Sequence, residues 1–328
     1  MVLTWVFFII GLLMLYHGAE WLVKGASNIA RSLGLTPLVI GLTVVAFGTS
    51  APELVVSIIS SFQGKGMIAV GNVVGSNICN IALVLGLASL FMPVKSNESV
   101  VKRDIPIMLG ISLFLLLISL NSKIGRLEGA ILLGGIIIYV CLNYYYAVKG
   151  TKQASSGESF SKELAAEDIE YIPSRSRQIT FIVAGILFVV TGAEILIDSA
   201  VKIMQTFGIS EKFIGLTIVA LGTSLPELAT SIVAAMRKEM DISIGNLVGS
   251  NVFNILGVLG AASLVKPVLI PGGFIQSGLL IDYLVMMFIS FLPWIMMRKT
   301  NTVTRRDGVV LLSCYVGYIA YLIVKAKG

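Results

Sequence analysis

One fourteen-residue stretch of this chain is written twice. Gly41-Leu-Thr-Val-Val-Ala-Phe-Gly-Thr-Ser-Ala-Pro-Glu-Leu54 returns as Gly215-Leu-Thr-Ile-Val-Ala-Leu-Gly-Thr-Ser-Leu-Pro-Glu-Leu228, identical at 11 of 14 positions. Glu53 and Glu227 are therefore 174 residues apart. At the same offset Gly71-Asn-Val-Val-Gly-Ser-Asn-Ile-Cys-Asn-Ile81 matches Gly245-Asn-Leu-Val-Gly-Ser-Asn-Val-Phe-Asn-Ile255, and Gly18-Ala-Glu20 matches Gly192-Ala-Glu194. Three blocks in one register mark a duplicated unit, so the fold must accept two copies of one plan.

Composition names the solvent. Of 328 residues, 56% are hydrophobic and 13% charged, with a mean hydropathy of +0.93. Soluble domains carry about 25% charged residues, so this chain has too few charges to cover a surface facing water. A bilayer span needs roughly 20 mainly apolar residues. That window finds ten spans, near 2–24, 36–62, 67–92, 104–121, 127–147, 178–201, 211–236, 241–265, 276–297 and 306–324. The first lacks an A-x-A-like cleavage site and reads as a retained span. The net charge of +6 reports topology and not a nucleic-acid partner, because ten spans place 16 of the 24 cations in loops on one side. By the positive-inside rule that side is cytoplasmic, which puts both termini outside a multi-pass protein of the cell (plasma) membrane. Cys79, Cys141 and Cys314 each sit in apolar surroundings with no C-x-x-C pattern, and read as small buried apolar side chains.

The expected fold is an all-α integral membrane protein of ten transmembrane helices, arranged as two inverted-topology five-helix repeats. Residues 1–147 form the first repeat, 148–177 a hydrophilic cytoplasmic linker and 178–328 the second repeat. Gly48-Thr-Ser-Ala-Pro52 interrupts span 2, and Gly222-Thr-Ser-Leu-Pro226 interrupts span 7. Proline removes a backbone donor and disfavours helix at the preceding residue, so each span is expected to kink or break just before its glutamate. A charge at membrane depth faces the bundle interior. In span 3, Asn72, Ser76 and Asn80 recur every four residues and fall within about 80° on a helix; Asn246, Ser250 and Asn254 repeat the stripe. Gly71 and Gly75 have the spacing that permits close helix approach. The sole histidine, His17, has no second metal ligand nearby and reads as an interfacial or packed residue. Glu20 and Lys24 have the spacing of a helical ion pair, and Glu194 lies near Asp198 and Lys202. The acids of the linker read as solvated, and Asp282 in span 9 receives no role.

Five spans separate span 2 from span 7. An odd number makes equivalent helices cross the membrane in opposite directions and brings Glu53 and Glu227 toward one midplane site. Inverted repeats with broken helices are a signature of secondary transporters. The donors around the breaks are all oxygen: two carboxylates, the hydroxyls of Thr49, Ser50, Thr223 and Ser224, the serines and asparagines of the stripes, and freed carbonyls. Such a set suits hard cations and serves zinc, copper or iron poorly. Lys and Arg are missing from these blocks, which speaks against an anionic substrate. Two carboxylates neutralise one Ca²⁺ or two Na⁺ but not both loads, and desolvated excess charge is costly. Competition for one alternating-access site then yields exchange. An intramembrane hydrolase would need a Ser–His or Ser–Lys pair, paired aspartates or H-E-x-x-H; no such set appears, so an enzyme is not expected. A channel fits poorly with two-fold doubling inside one chain.

At these blocks the chain resembles the calcium/cation antiporter superfamily, and within it the prokaryotic sodium/calcium exchangers. G-T-S-x-P-E-L and G-N-x-x-G-S-N-x-x-N-I look like that family's two repeats, and the resemblance covers the ten-span plan. It implies a Na⁺-driven Ca²⁺ exchanger, three Na⁺ commonly moving per Ca²⁺, with spans 1 and 6 sliding against the other eight. It also implies Glu53 and Glu227 as calcium carboxylates, Thr49 and Thr223 supporting calcium through backbone oxygens, and Ala46 and Ala220 lending carbonyls to sodium. Ser50, Ser76, Ser224 and Ser250 would be sodium ligands, and Asn80 and Asn254 would complete the centre. Some relatives, K⁺-dependent ones among them, place Asp where Asn254 stands; asparagine lowers the site charge and speaks against K⁺ co-transport. A Ca²⁺/H⁺ exchanger is the nearest alternative, since two tuned carboxylates can carry protons, and a K⁺-dependent Na⁺/Ca²⁺ exchanger is the other. Ca²⁺ and Na⁺ are thus the expected substrates, with no cofactor, a lipid bilayer as surroundings and a monomer as the working unit.

Overall fold

The computed structural model of the chain describes residues 2–154, 170–207, 220–271, 273–275 and 277–325. In chain order its longer helices are α1 (Val2–Leu33), α2 (Pro37–Thr49), α3 (Ala51–Phe62), α4 (Gly66–Phe91), α5 (Ile105–Ser119), α6 (Arg126–Ala154), α7 (Arg175–Thr206), α8 (Leu225–Met236), α9 (Met240–Val265), α10 (Leu279–Met297) and α11 (Arg305–Lys325). Among the described residues seven of these are long and apolar enough to cross a membrane, or eight if the bent pair α2–α3 counts as one span. The pair is bent by 47° at Ser50. The first part of the expected span 7, residues 211–219, lies outside the described residues, as do residues 208–210 before it. Helices α4 and α9 are the most enclosed, with 78% of each apolar window buried, and between them they carry both polar stripes.

Among the described residues four turns of π-helix, Gly41–Val45, Asn80–Leu85, Val100–Asp104 and Asn254–Leu259, interrupt the regular ladder. Asn80–Leu85 and Asn254–Leu259 are repeat equivalents, each starting at the last asparagine of its stripe. Such turns are rare and concentrate at functional sites.

Helices α1 and α7 have 32 residues each, about 48 Å at 1.5 Å per residue, against roughly 30 Å of hydrocarbon. Both overrun the ends expected at 24 and 201. In α1 the overrun is polar and finds partners: the Ser27 hydroxyl donates to Glu239 at 2.7 Å, and the Asn28 amide donates to the carbonyls of Lys24 and Glu170. The two helices lie against each other along a seam of small residues. A Cβ on Gly18 would lie 2.7 Å from the Val189 nitrogen, one on Gly25 2.8 Å from the Ile182 nitrogen, and one on Gly192 2.9 Å from the Leu15 nitrogen. Without such glycines the backbones could not approach so closely. Gly245 serves the same purpose between α9 and α2, 2.8 Å from the Leu38 carbonyl on the same measure. Nothing among the described residues approaches Gly71 or Gly75, so the close approach expected there is not seen; the sequence equivalents of Leu38–Leu42 fall outside the described residues.

Among the described residues two short antiparallel pairings join distant loops. β1 (Val94–Lys95) pairs with β4 (Thr302–Val303), and β2 (Lys123–Ile124) pairs with β3 (Val268–Leu269). Each joins a loop of the first half to a loop of the second. Elsewhere the expected ion pairing is corrected. Glu20 pairs with Arg237 and lies 3.6 Å from His17, while Lys24 binds Glu170 at 2.7 Å. The i,i+4 alternative lost because both side chains meet oppositely charged partners across the interface. Helix α6 runs on to Ala154 and α7 begins at Arg175, so helix occupies both ends of the expected linker 148–177. Its described end is stitched to α1: the Ile172 amide donates to the Asn28 side chain at 2.8 Å, and Ile172 is buried. Residues 155–169, with most of its acids, lie outside the described residues. Cys79 is buried as expected, but Cys141 is exposed and Cys314 intermediate, so burial of all three is not seen. Asp282 opens α10 and accepts a hydrogen bond from the Tyr318 hydroxyl at 3.1 Å.

Two outcomes follow for stability in detergent. Gly18→Val forces overpacking between backbones and should cost about 1–3 kcal/mol or more, read as a lowered melting temperature; Gly317→Ala, with nothing described within 4 Å, should be neutral or gain up to about 1 kcal/mol. Burial holds the Glu239 carboxyl above its ordinary value of 4.5, opposed by the Ser27 hydroxyl and the Arg31 cation. The folded chain keeps a proton there that the unfolded chain releases. This stability is complete below about pH 4.5 and is lost as pH rises through the raised value. Melting curves from about pH 4 to 7 should therefore show a smaller loss on the rising limb in Glu239→Gln than in the parent.

Candidate cation centre

Ser50 and Ser224 occupy the two breaks with matching backbone angles, φ −84°, ψ 10° and φ −89°, ψ 4°. Pro52 and Pro226 follow in the first turns of α3 and α8, where a missing N–H costs little. Glu53 and Glu227 come next, also in the first turn, and both are fully buried. A carboxylate is favoured beside the exposed N–H groups of a helix start, and the C-terminal end of α2 turns its carbonyls toward the break. The Ala46 carbonyl there accepts from the Ser50 N–H at 3.1 Å and from the Thr49 hydroxyl at 3.4 Å. Ala220 opens the short turn Ala220–Gly222 that precedes the second break.

Hydrogen bonds then run between the two copies. The Ser50 hydroxyl donates to Glu227 Oε1 at 2.9 Å, so the chain segment carrying Glu53 also holds the opposite glutamate. The Ser76 hydroxyl donates to Glu53 Oε1 at 3.4 Å. The Thr49 hydroxyl donates to Asn246 Oδ1 at 3.0 Å and lies 3.4 Å from the Ser250 hydroxyl; its mate Thr223 donates to Asn72 Oδ1 at 3.4 Å. Asn72 and Asn246 donate in turn to Ser57 and Ser231, each at 3.0 Å. Asn80 and Asn254 reach Asn251 and Asn77 of the opposite copy at 3.1 and 3.2 Å. Contacts that return when the two copies are exchanged are those a two-fold axis generates.

Of the expected residues, Glu53, Glu227, Ser50, Thr49, Ser76, Ser250, Asn80 and Asn254 are tied into this network. Thr223 joins through Asn72, and Ser224 is buried beside it. Among the described residues four buried oxygens in matched pairs have no hydrogen-bond partner: Oε2 of Glu53 and Glu227, and Oδ1 of Asn80 and Asn254. A carboxylate or amide oxygen only accepts, and an unsatisfied buried acceptor is costly.

The ligand set read from the sequence omits Ser57, Ser231, Asn77 and Asn251. All four recur at the 174-residue offset, and both asparagines stand inside the repeated block. The signal was present, but a stripe drawn every four residues passes Asn77 and Asn251 by.

Fold and site together define a helical, multi-pass membrane protein with a buried, acceptor-rich centre assembled from two copies of one motif. The chain belongs to the family described as sodium/calcium exchanger protein, whose sequence profile matches residues 3–145 and 178–324. It is 36% identical to the putative antiporter CaxA of Alkalimonas amylolytica, over 97% of this chain and 98% of the relative. It is 31% identical to the sodium/calcium exchanger MaX1 of Methanosarcina acetivorans, over 96% of this chain and 97% of the relative. A solved structure of the sodium-calcium exchanger NCX_Mj, soaked with zero Na⁺ and Ca²⁺, superposes with a TM-score of 0.82 at 32% identity, covering 98% of this chain and 99% of that one. The prokaryotic calcium/cation antiporter resemblance is borne out, and this is a family of exchangers.

Removing the hydroxyl in Ser50→Ala leaves Glu227 Oε1 buried without its donor. The expected cost is about 1–3 kcal/mol, measured as a lower unfolding midpoint in ion-free buffer.

Proposed function

We propose that the chain is an antiporter that exchanges Na⁺ for Ca²⁺ across the cell membrane by alternating access to the centre between Glu53 and Glu227. The observation that carries this reading is the set of four unpartnered acceptor oxygens, in two repeat-related pairs, beside two buried carboxylates. In this reading Ca²⁺ is held by the glutamates with the backbone oxygens of Thr49 and Thr223. Na⁺ occupies positions among Ser50, Ser76, Ser224, Ser250 and the Ala46 and Ala220 carbonyls, and Asn80 and Asn254 close the centre. Loads of both kinds would exceed the charge the glutamates supply, so binding of one expels the other.

Ten spans in two inverted five-span repeats, residues 1–147 and 178–328 joined by 148–177, accord with the loop pairings. β1 and β4 fall in loops 3–4 and 9–10, which that plan places in the cytoplasm; β2 and β3 fall in loops 4–5 and 8–9, which it places outside with both termini. Glu20–Arg237 and Lys24–Glu170 each join segments at one face of the same plan. Both carboxylates come from one chain, which suits a monomeric working unit.

The test is uptake of radioactive Ca²⁺ into vesicles reconstituted with the protein. An outward Na⁺ gradient at clamped pH should drive uptake; uptake driven by a pH gradient without Na⁺ would assign the counter-ion to protons. Glu53→Gln and Glu227→Gln each leave the other charge facing the ion with half its partner set. Breaking such a buried arrangement costs about 3–5 kcal/mol, roughly a hundredfold or more in affinity. Parental Ca²⁺ flux in both variants would end the reading. In detergent, Ca²⁺ at a hundred times its Kd should stabilise the parent by about 2.7 kcal/mol and the two variants by far less.

A further inference from the structure

Asn77 and Asn251 face each other across the two copies, with side chains fully enclosed. The Asn77 Nδ2 donates to the backbone carbonyl of Asn251 at 3.2 Å, and the Asn251 Nδ2 donates to the backbone carbonyl of Asn77 at 3.4 Å. A backbone carbonyl only accepts, so this reciprocal pair settles which end of each amide is nitrogen. The Oδ1 of each then points away from the opposing carbonyl and toward an asparagine at the ion centre. Asn251 Oδ1 accepts from Asn80 Nδ2 at 3.1 Å, and Asn77 Oδ1 accepts from Asn254 Nδ2 at 3.2 Å. Asn80 and Asn254 are thereby turned with their nitrogens to the frame, and their Oδ1 atoms are the ones left without partners. Reversing either amide would aim an N–H pair at the cation.

We infer that Asn77 and Asn251 are positioning residues for transport. Starting from backbone carbonyls, they fix the amide orientation of Asn254 and Asn80 so that oxygen faces the ion. Each half of the molecule sets a ligand of the other half. The inference rests on the reading of the centre as a cation site.

Loss of an orienting partner behind a metal ligand weakens binding by about ten- to a hundredfold. Asn251→Leu, near in volume but unable to accept from Asn80, should weaken apparent Ca²⁺ affinity by that factor. The maximal exchange rate at saturating Ca²⁺ should change much less. The discriminating variant is Asn80→Asp, whose side chain presents oxygen in either orientation. Adding Asn251→Leu to Asn80→Asp should leave the affinity of Asn80→Asp unchanged or improve it, because the Asn251 oxygen no longer opposes a carboxylate. A purely structural role would lower affinity or melting temperature equally in both backgrounds, and that result overturns the inference. So does parental affinity in folded Asn251→Leu. If Asn251→Leu fails to fold, Asn77→Leu with and without Asn254→Asp makes the same comparison on the other copy; misfolding of both refutes an orienting role. Glu53→Gln in the same binding assay separates the two readings. Parental Ca²⁺ binding there would sink the cation site itself, while lost binding there with no effect of Asn251→Leu would sink this inference only.

Discussion

Two carboxylates held out of water, one from each copy of a single motif, set the terms for the rest of the molecule. Charge in a low-dielectric interior is tolerated only where hydrogen bonds or a counter-charge meet it. Ser50, Ser76 and the helix starts meet part of that demand through Glu53 Oε1 and Glu227 Oε1. Each Oε2 is left over. The helix breaks deliver these groups: unbroken spans would place no helix start beside either glutamate.

Around the glutamates the two copies are not held alike. The asparagine frame is symmetric, each contact having its mate on exchange of the copies. The carboxylates break that symmetry: the Ser50 hydroxyl of one break donates to Glu227, and no matching bond from Ser224 to Glu53 is seen among the described residues. A symmetric asparagine frame thus surrounds carboxylates that the two halves hold differently.

The long helices α1 and α7 stand apart from this frame and meet each other through glycine-lined backbones. Their mutual seam is close, and toward the other helices Leu22 and Val23 of α1 and Ile182 and Val189 of α7 share an apolar cluster with Val39, Val45, Val233 and Ile242. At one face α1 adds polar ties to Arg237, Glu239 and Glu170.

Much of this was legible in the residue order. The duplication exposed Glu53 and Glu227, the proline-marked breaks and both polar stripes, because a repeated polar block in an apolar chain has few explanations other than a shared interior site. Membrane residence followed from scarce charge, and the family from the repeated motif. Local order could not show which side chains meet. Glu20 and Lys24 have the right helical spacing for each other yet pair with Arg237 and Glu170, since partners brought in by packing outcompete an exposed intrahelical pair. The ladder also slips by one residue at Asn80 and Asn254, and Asn77 and Asn251 face each other beside those turns. Periodicity therefore selected the oxygens that line the centre, while only the packed pair of copies decided which amides turn them inward.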